Sequence, residues 1–342
     1  MMNAQLQKAM SLPLDKLSRP VHDLRVSVIE ACNFRCPYCM PADKTPDDAT
    51  LQNAARLSFD QIEKTVKAFV KLGVRKLRLT GGEPLLRKNL PELIERLSRI
   101  PELEDIALTT NGSLLEKQAQ ALKQSGLHRL TISLDALDPD VFSQLSGGRG
   151  QVQDVLNGIE AAEAAGFSSL KINAVIQRGI NEDQVLPLVG KFRGTKHVLR
   201  FIEFMDVGNC NNWSLKDVLP SKQLQALINQ QWPLQPVSAN YRGEVASRYR
   251  FADGMGEVGF VSSVSEPFCG DCHRARLSAD GHVYTCLFAG KGHDIRAELD
   301  QDQDLLDQKL IKIWTNRSDR YSEVRHSKTQ QNKKIEMYFI GG

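Results

Sequence analysis

The chain has 342 residues, 41% hydrophobic and 25% charged, with a net charge of +3. That is enough for one large domain or two ordinary ones with a sizeable core, and the near-neutral balance makes no case for a nucleic-acid partner. No apolar run approaches the roughly 18 to 20 residues that cross a bilayer, so no membrane is expected. The first twenty residues lack the charged-then-apolar pattern of an export signal, and a cytoplasmic address follows as the expectation.

From about residue 24 to 230 a short β-rich run alternates with an amphipathic helix. The candidate strands are LRVSVIE, VRKLRLT, DIALTT, HRLTISL, LKINAVI and VLRFIEF. Between them lie SFDQIEKTVKAFVKLG, with Ser58 and Gln61 as a capping box and Gly73 closing the end, then NLPELIERLSRI, LEKQAQALKQSG, VQDVLNGIEAAEAAG and NEDQVLPLVGKF. Six such units imply an α/β fold with a parallel sheet and right-handed crossovers. A doubly wound sheet and a partial (β/α)6 barrel of the TIM type both fit. The barrel is favoured because polar residues recur near the C-terminal end of every strand, the face where barrels build active sites, whereas a doubly wound sheet gathers them at one switch point. These residues are the cysteines after the first strand, GGEP, TTNG, SLD, Lys171 with Asn173, and EFMD.

The rhythm changes near residue 232. WPLQPVSANYRGE reads as a turn-rich joint, followed by two short hairpins around ADG turns, a polar helix over about 301–314, a basic stretch RHSKTQQNKK and a terminal EMYFIGG. The expected division is therefore a barrel over residues 1–232 and a smaller C-terminal α+β domain over 233–342 that covers its open side.

Seven cysteines are present, and in a reducing compartment clustered cysteines serve metals more often than disulfides. Cys32, Cys36 and Cys39 in CNFRCPYC suit three corners of a [4Fe–4S] cube with the fourth iron open; zinc completed by a distant His or Asp is the alternative. Cys269, Cys272 and Cys286 form a second triad, where zinc would need His273 or His282. Cys269 to His273 also spells Cys-x-x-Cys-His, a c-type haem attachment sequence. Haem would leave Cys286 unexplained and would require export. Cys210 belongs to neither triad and reads as an ordinary thiol.

The first loop resembles the radical S-adenosylmethionine superfamily, whose signature is Cys-x3-Cys-x2-Cys with an aromatic residue before the third cysteine, here Tyr38. Gly81 to Pro84 match its GGEP motif. In that superfamily the open iron chelates S-adenosylmethionine, and reductive cleavage gives a 5′-deoxyadenosyl radical. Two triads at opposite ends of such a chain resemble, more narrowly, the GTP 3′,8-cyclase family of molybdenum cofactor biosynthesis, over about residues 24–342.

That resemblance implies two [4Fe–4S] clusters and S-adenosylmethionine as cofactors. It implies cyclisation of GTP through abstraction of the C3′ hydrogen and attack on guanine C8. Arg25, Arg78, Thr109 and Lys171 fall where the family binds GTP, and Arg274 and Arg276 keep the two arginines of its Asn-Arg-x-Arg. Arginine suits a triphosphate through bidentate contacts. Tyr38, Gly82, Ser133 and Met205 fall on the S-adenosylmethionine side, and Arg200 is the candidate catalytic assistant. His273 replaces the family's asparagine, from where it could crowd or ligate the second cluster. Glu203 attracts notice as a carboxylate at the catalytic face that needs a partner. Implied partners are GTP, an electron donor such as flavodoxin or ferredoxin, and cyclic pyranopterin monophosphate synthase downstream; a homodimer is left open. The family also sends its Gly341-Gly342 tail between the clusters. Two rivals are a peptide-modifying radical enzyme, which should lack Arg-x-Arg and the tail, and an electron carrier, which should complete its sites with four ligands.

Overall fold

The computed structural model describes residues 12–40, 56–325 and 334–341. The six expected strands form: β1 (Asp23–Ser27), β2 (Lys76–Thr80), β3 (Asp105–Thr110), β4 (Arg129–Ser133), β5 (Lys171–Ile176) and β6 (Val198–Glu203). They pair in parallel in sequence order, without the reversal that defines a doubly wound switch point.

The helices between them form for legible reasons. Ser58 and Gln61 make both hydrogen bonds of a capping box at the helix Phe59–Lys71. Its Ile62, Val66 and Phe69, spaced four and three apart, are all buried. Gly73, at φ +115°, then turns the chain towards β2. Among the described residues, two helices of eight or more residues escape the sequence reading, Pro139–Ser146 and Ser221–Gln231. The first starts on an Asp138 cap with Pro at its first position, a signal hidden beside the conspicuous SLD.

Residues beyond 232 extend the same sheet at both of its edges. β9 (Glu257–Val261) runs parallel to β6, and β10 (Arg274–Leu277) runs parallel to β1. Antiparallel neighbours complete each side: β7 (Leu234–Val237) and β8 (Ser247–Phe251) next to β9, and β11 (His282–Tyr284) and β12 (His293–Asp294) next to β10. The result is one twelve-stranded mixed sheet. β7 lies within the segment read as a turn-rich joint; its Pro236 is tolerated because the strand is an edge. The basic stretch 326–333 and Gly342 lie outside the described residues. Among the described residues no helix is long and apolar enough to cross a membrane.

Candidate active site

Strand alternation builds the site. Side chains two apart point to one face, and the register aligns Arg25 with Arg78 and Arg276, Arg78 with Ala107, Ala107 with Arg129, Thr131 with Lys171, and Asn173 with Arg200. Interleaved residues such as Val26, Leu79, Leu108, Ile132, Ile172 and Phe201 pack into the core. The opposite set lines a cavity of about 360 Å³. It contains every site residue expected from sequence: Arg25, Cys32, Cys36, Tyr38, Cys39, Arg78, Gly82, Thr109, Ser133, Lys171, Arg200, Met205, Cys269, Cys272, Arg274, Arg276 and Cys286. It also contains Lys76 and Arg129, which that reading missed.

The cations are oriented mainly by neutral acceptors. Arg78 donates to the hydroxyls of Thr109 (3.0 Å) and Thr131 (2.9 Å), and Arg200 Nε donates to Asn173 Oδ1 (2.9 Å). Arg129 donates through Nε to Asp105 at 2.7 Å. No ion pair among the described residues joins Arg25, Arg78, Lys171, Arg200, Arg274 or Arg276 to a carboxylate, so their charge is left for something else. Burial first, then neighbouring cations, brings Lys171 down to about 7, Arg200 to about 9 and Arg276 to about 10, and holds Arg25 well below its usual value. A wall of this kind costs energy until an anion enters it.

Cys32, Cys36 and Cys39 follow β1 in a loop closed by Cys39 N–H to Cys36 O (2.9 Å), and the Phe34 amide donates to Cys32 Sγ (3.4 Å). Burial pushes Cys32 up to about 12 and raises Cys36 and Cys39 as well, so three thiolates here require a cationic partner. The glycines of GGEP serve this loop. The Gly82 and Glu83 amides donate to Ile29 and Ala31 carbonyls at 2.8 Å, and a Cβ at Gly82 would strike the Ala31 carbonyl. The close approach is therefore of backbone to backbone, where sequence reasoning invoked the ligand. Glu83, buried, ties the motif to β3 through Thr110 and Asn111 (both 2.8 Å). Tyr38 donates its hydroxyl to Asp135 (2.5 Å), which also accepts from Val175 N–H (2.8 Å).

In the second triad Cys272 Sγ accepts from Arg274 (3.3 Å) and Arg317 (3.2 Å), and Cys286 Sγ accepts from the Phe288 amide (3.4 Å). N–H···S bonds to cysteines are a feature of iron–sulfur ligation. A single tetrahedral ion would draw three sulfurs to about 3.8 Å of one another at Zn–S distances of about 2.3 Å. Neither triad gathers its sulfurs within 4.8 Å, since the trio of ligand atoms that meets this limit among the described residues is His22, Asp23 and His273. The donor sets thus fit clusters with one iron per cysteine. His273 does not crowd the triad: its ring packs against His22 and Tyr241 and faces Asp23.

Glu203 has partners enough. Wholly buried, it accepts from Ser221 N–H (2.8 Å) and Oγ (3.0 Å), Val264 N–H (2.8 Å), and Ser265 N–H (2.9 Å) and Oγ (2.5 Å). It is a structural knot behind the cavity. At the other end of the chain, Gly341 lies against Thr80, and Arg276 donates to its carbonyl.

Comparisons with known proteins agree with this site. Residues 26–191 match the Radical SAM superfamily and residues 197–323 match the Molybdenum Cofactor Synthesis C family. The structure resembles that of Streptococcus suis SuiB bound to S-adenosylmethionine, with a TM-score of 0.61 at 16% identity over 92% of this chain and 70% of that one. It also resembles anSMEcpe with bound AdoMet and a peptide, with a TM-score of 0.55 at 16% identity over 93% and 94%. At such identity the likeness is one of fold. Fold and motifs together define a radical S-adenosylmethionine protein.

Sequence relatives are more specific. GTP 3′,8-cyclase of Xanthomonas campestris pv. campestris is 64% identical over 96% of this chain and 97% of that protein. Those of Acidothermus cellulolyticus and Staphylococcus epidermidis are 45% and 44% identical, each over 96% of this chain and 98% of the relative. The chain belongs to the GTP 3′,8-cyclase family.

Proposed function

We infer that this chain cyclises GTP to (8S)-3′,8-cyclo-7,8-dihydroguanosine 5′-triphosphate in molybdenum cofactor biosynthesis. The observation that carries the reading is one cavity, flanked by two three-cysteine loops, in which Arg25, Arg78, Lys171, Arg200, Arg274 and Arg276 have no carboxylate ion pair among the described residues. A triphosphate supplies the anion such a wall lacks, and a site one ligand short of four leaves an iron for substrate.

Cys32, Cys36 and Cys39 would hold one [4Fe–4S] cluster, and Cys269, Cys272 and Cys286 the other. When bound, the first cluster with S-adenosylmethionine supplies hydrogen-atom abstraction, the chemistry that lets ribose C3′ join guanine C8. Tyr38, Gly82, Ser133 and Met205 line the S-adenosylmethionine side. Arg25, Arg78, Lys171, Arg274 and Arg276 bind the nucleotide, with Thr109 fixing the Arg78 guanidinium. Arg200, fixed by Asn173, assists beside the substrate. The wall orients the ribose towards the first loop and excludes water.

In this reading the six parallel strands curve as a partial barrel over residues 1–232, and residues 233–342 cover its open side. The electron donor is a flavodoxin or ferredoxin, the product passes to cyclic pyranopterin monophosphate synthase, and the address is cytoplasmic. A homodimer is compatible with it; a nucleic-acid or membrane partner plays no part.

The test is product analysis by mass spectrometry on anaerobically reconstituted protein given dithionite and S-adenosylmethionine with GTP, ATP or no nucleotide. 5′-Deoxyadenosine together with a cyclised GTP isomer, with GTP alone, is expected. Deoxyadenosine without nucleotide dependence would overturn the substrate, and no cleavage by cluster-loaded protein would overturn the radical chemistry.

A further inference from the structure

Beside the cavity, where His273 follows Cys272 in the chain but no cysteine joins the group, His22, Asp23 and His273 each bring one ligand atom to within 4.8 Å of the others. The backbone sets this trio. The amides of His22 and Asp23 donate to the His273 carbonyl at 2.9 and 3.2 Å, where β1 begins to pair with β10. The Asp23 carboxylate spans the two rings, with Oδ1 3.1 Å from His22 Nδ1 and Oδ2 3.6 Å from His273 Nδ1.

The second distance is too long for a hydrogen bond. His273 Nδ1 is in fact a buried atom without a hydrogen-bond partner, in a residue only 9% exposed. Its Nε2 faces Gly243, where a Cβ would come within 2.6 Å, so the unpartnered nitrogen is the one turned towards Asp23. An orphaned nitrogen of this kind costs free energy. Lys76 could have claimed the carboxylate, but its ammonium lies 3.5 Å from the centroid of the Tyr241 ring and forms no ion pair with Asp23 among the described residues.

We propose that His22, Asp23 and His273 form a site for a divalent transition-metal ion of the zinc type. Two imidazoles and one carboxylate are a donor set that leaves coordination positions open. Asp23 is the member of the trio that lines the cavity, so the site adjoins the space the nucleotide would occupy. Nitrogen and oxygen donors separate this site from the thiol triads, whose softer ligands favour iron–sulfur clusters. The proposal stands whether or not the cyclisation reading does.

The experiment offers Zn2+ to anaerobically reconstituted, cluster-loaded protein, removes the excess by desalting, and measures zinc and iron per chain by mass spectrometry. One zinc per chain is expected with iron unchanged. His22→Gln and His273→Asn should each weaken zinc binding by at least the roughly 10–100-fold that loss of a mere supporting residue costs a metal site. His22, whose side chain is 37% exposed, keeps the test open if the buried His273→Asn variant fails to fold. No retained zinc would overturn the proposal. So would zinc retained equally by the folded variants, or zinc taken up in step with iron loss, since the ion would then sit elsewhere.

Discussion

Arg276 donates its guanidinium to the carbonyl of Gly341, and at 3.4 Å to that of Ile340, so the tail is gripped by a member of the cation wall. Gly341 has φ +69°, and a Cβ there would collide with the Thr80 side chain. Gly341→Ala therefore combines backbone strain of about 1–3 kcal/mol with a clash. The segment is only the short helix Met337–Ile340, so the tail should leave its seat while the fold stays intact. GTP-dependent turnover should fall by at least about tenfold, which is about 1.4 kcal/mol, with iron content and melting temperature unchanged. Turnover at the wild-type rate would show that the grip on the tail is incidental.

Lys171 gives the cavity a pH dependence. Burial, then Arg200, Arg129 and Arg78, bring its ammonium to about 7 from an ordinary 10.5. Between those values the unfolded chain holds the proton and the folded one does not, so this residue's contribution to stability rises with pH across that window. Below about 7 the buried charge is a standing cost. A triphosphate reverses the balance by raising the lysine's pKa. GTP binding at about pH 8–9 should take up a proton and weaken by at most about tenfold per pH unit. Calorimetry in buffers of different ionisation heat reads the uptake directly. Lys171→Met should remove most of it, Arg200 at about 9 supplying a smaller share, and equal uptake by variant and wild type would rule Lys171 out as its source.

The βα units were legible because helix and strand periodicities alternate cleanly, and the cysteine loops because their spacing is chemically specific. Arg129 was missed although Arg129, Thr131 and Ser133 alternate on β4 just as the chosen residues do on β5; no motif surrounds it. Pairing of β10 with β1 and of β9 with β6 was not legible, since strands so far apart in sequence carry no local signal for their partners. Net charge misled in a related way. A total of +3 conceals a concentrated wall, because the cavity gathers eight lysines and arginines against four acids, Asp23, Asp105, Asp135 and Glu244, and the remaining balance lies elsewhere. Glu203 shows the opposite error, a carboxylate near the expected face whose duty is to hold backbone.

Glu203→Gln tests that duty. An amide would present donors where Ser221, Val264 and Ser265 backbone groups also donate, losing one or two buried hydrogen bonds at about 1–3 kcal/mol each. The thermal midpoint should fall by several degrees, with GTP affinity of the folded protein preserved. Lost affinity at unchanged stability would return Glu203 to the site.

Arg317 should act selectively on the second triad. It donates to the Cys272 carbonyl at 2.6 Å and to Cys272 Sγ at 3.2 Å, and pairs with Asp15 at 3.2 Å, both side chains being essentially unexposed. Arg317→Gln removes one N–H···S bond and strips a buried carboxylate of one of its two cations, Arg19 being the other. Breaking a buried pair costs about 3–5 kcal/mol, and the strain falls on the loop carrying Cys269 and Cys272. Anaerobically reconstituted variant should lose about half its iron on desalting, with the first cluster still detectable by its electron paramagnetic resonance after reduction. Arg320→Gln, which removes an exposed pair with Glu323, should retain all of it. If both variants keep full iron, Arg317 steadies the fold around Asp15 and has no hold on the cluster loop; if Arg317→Gln loses both clusters together, the two loops share one cooperative unit.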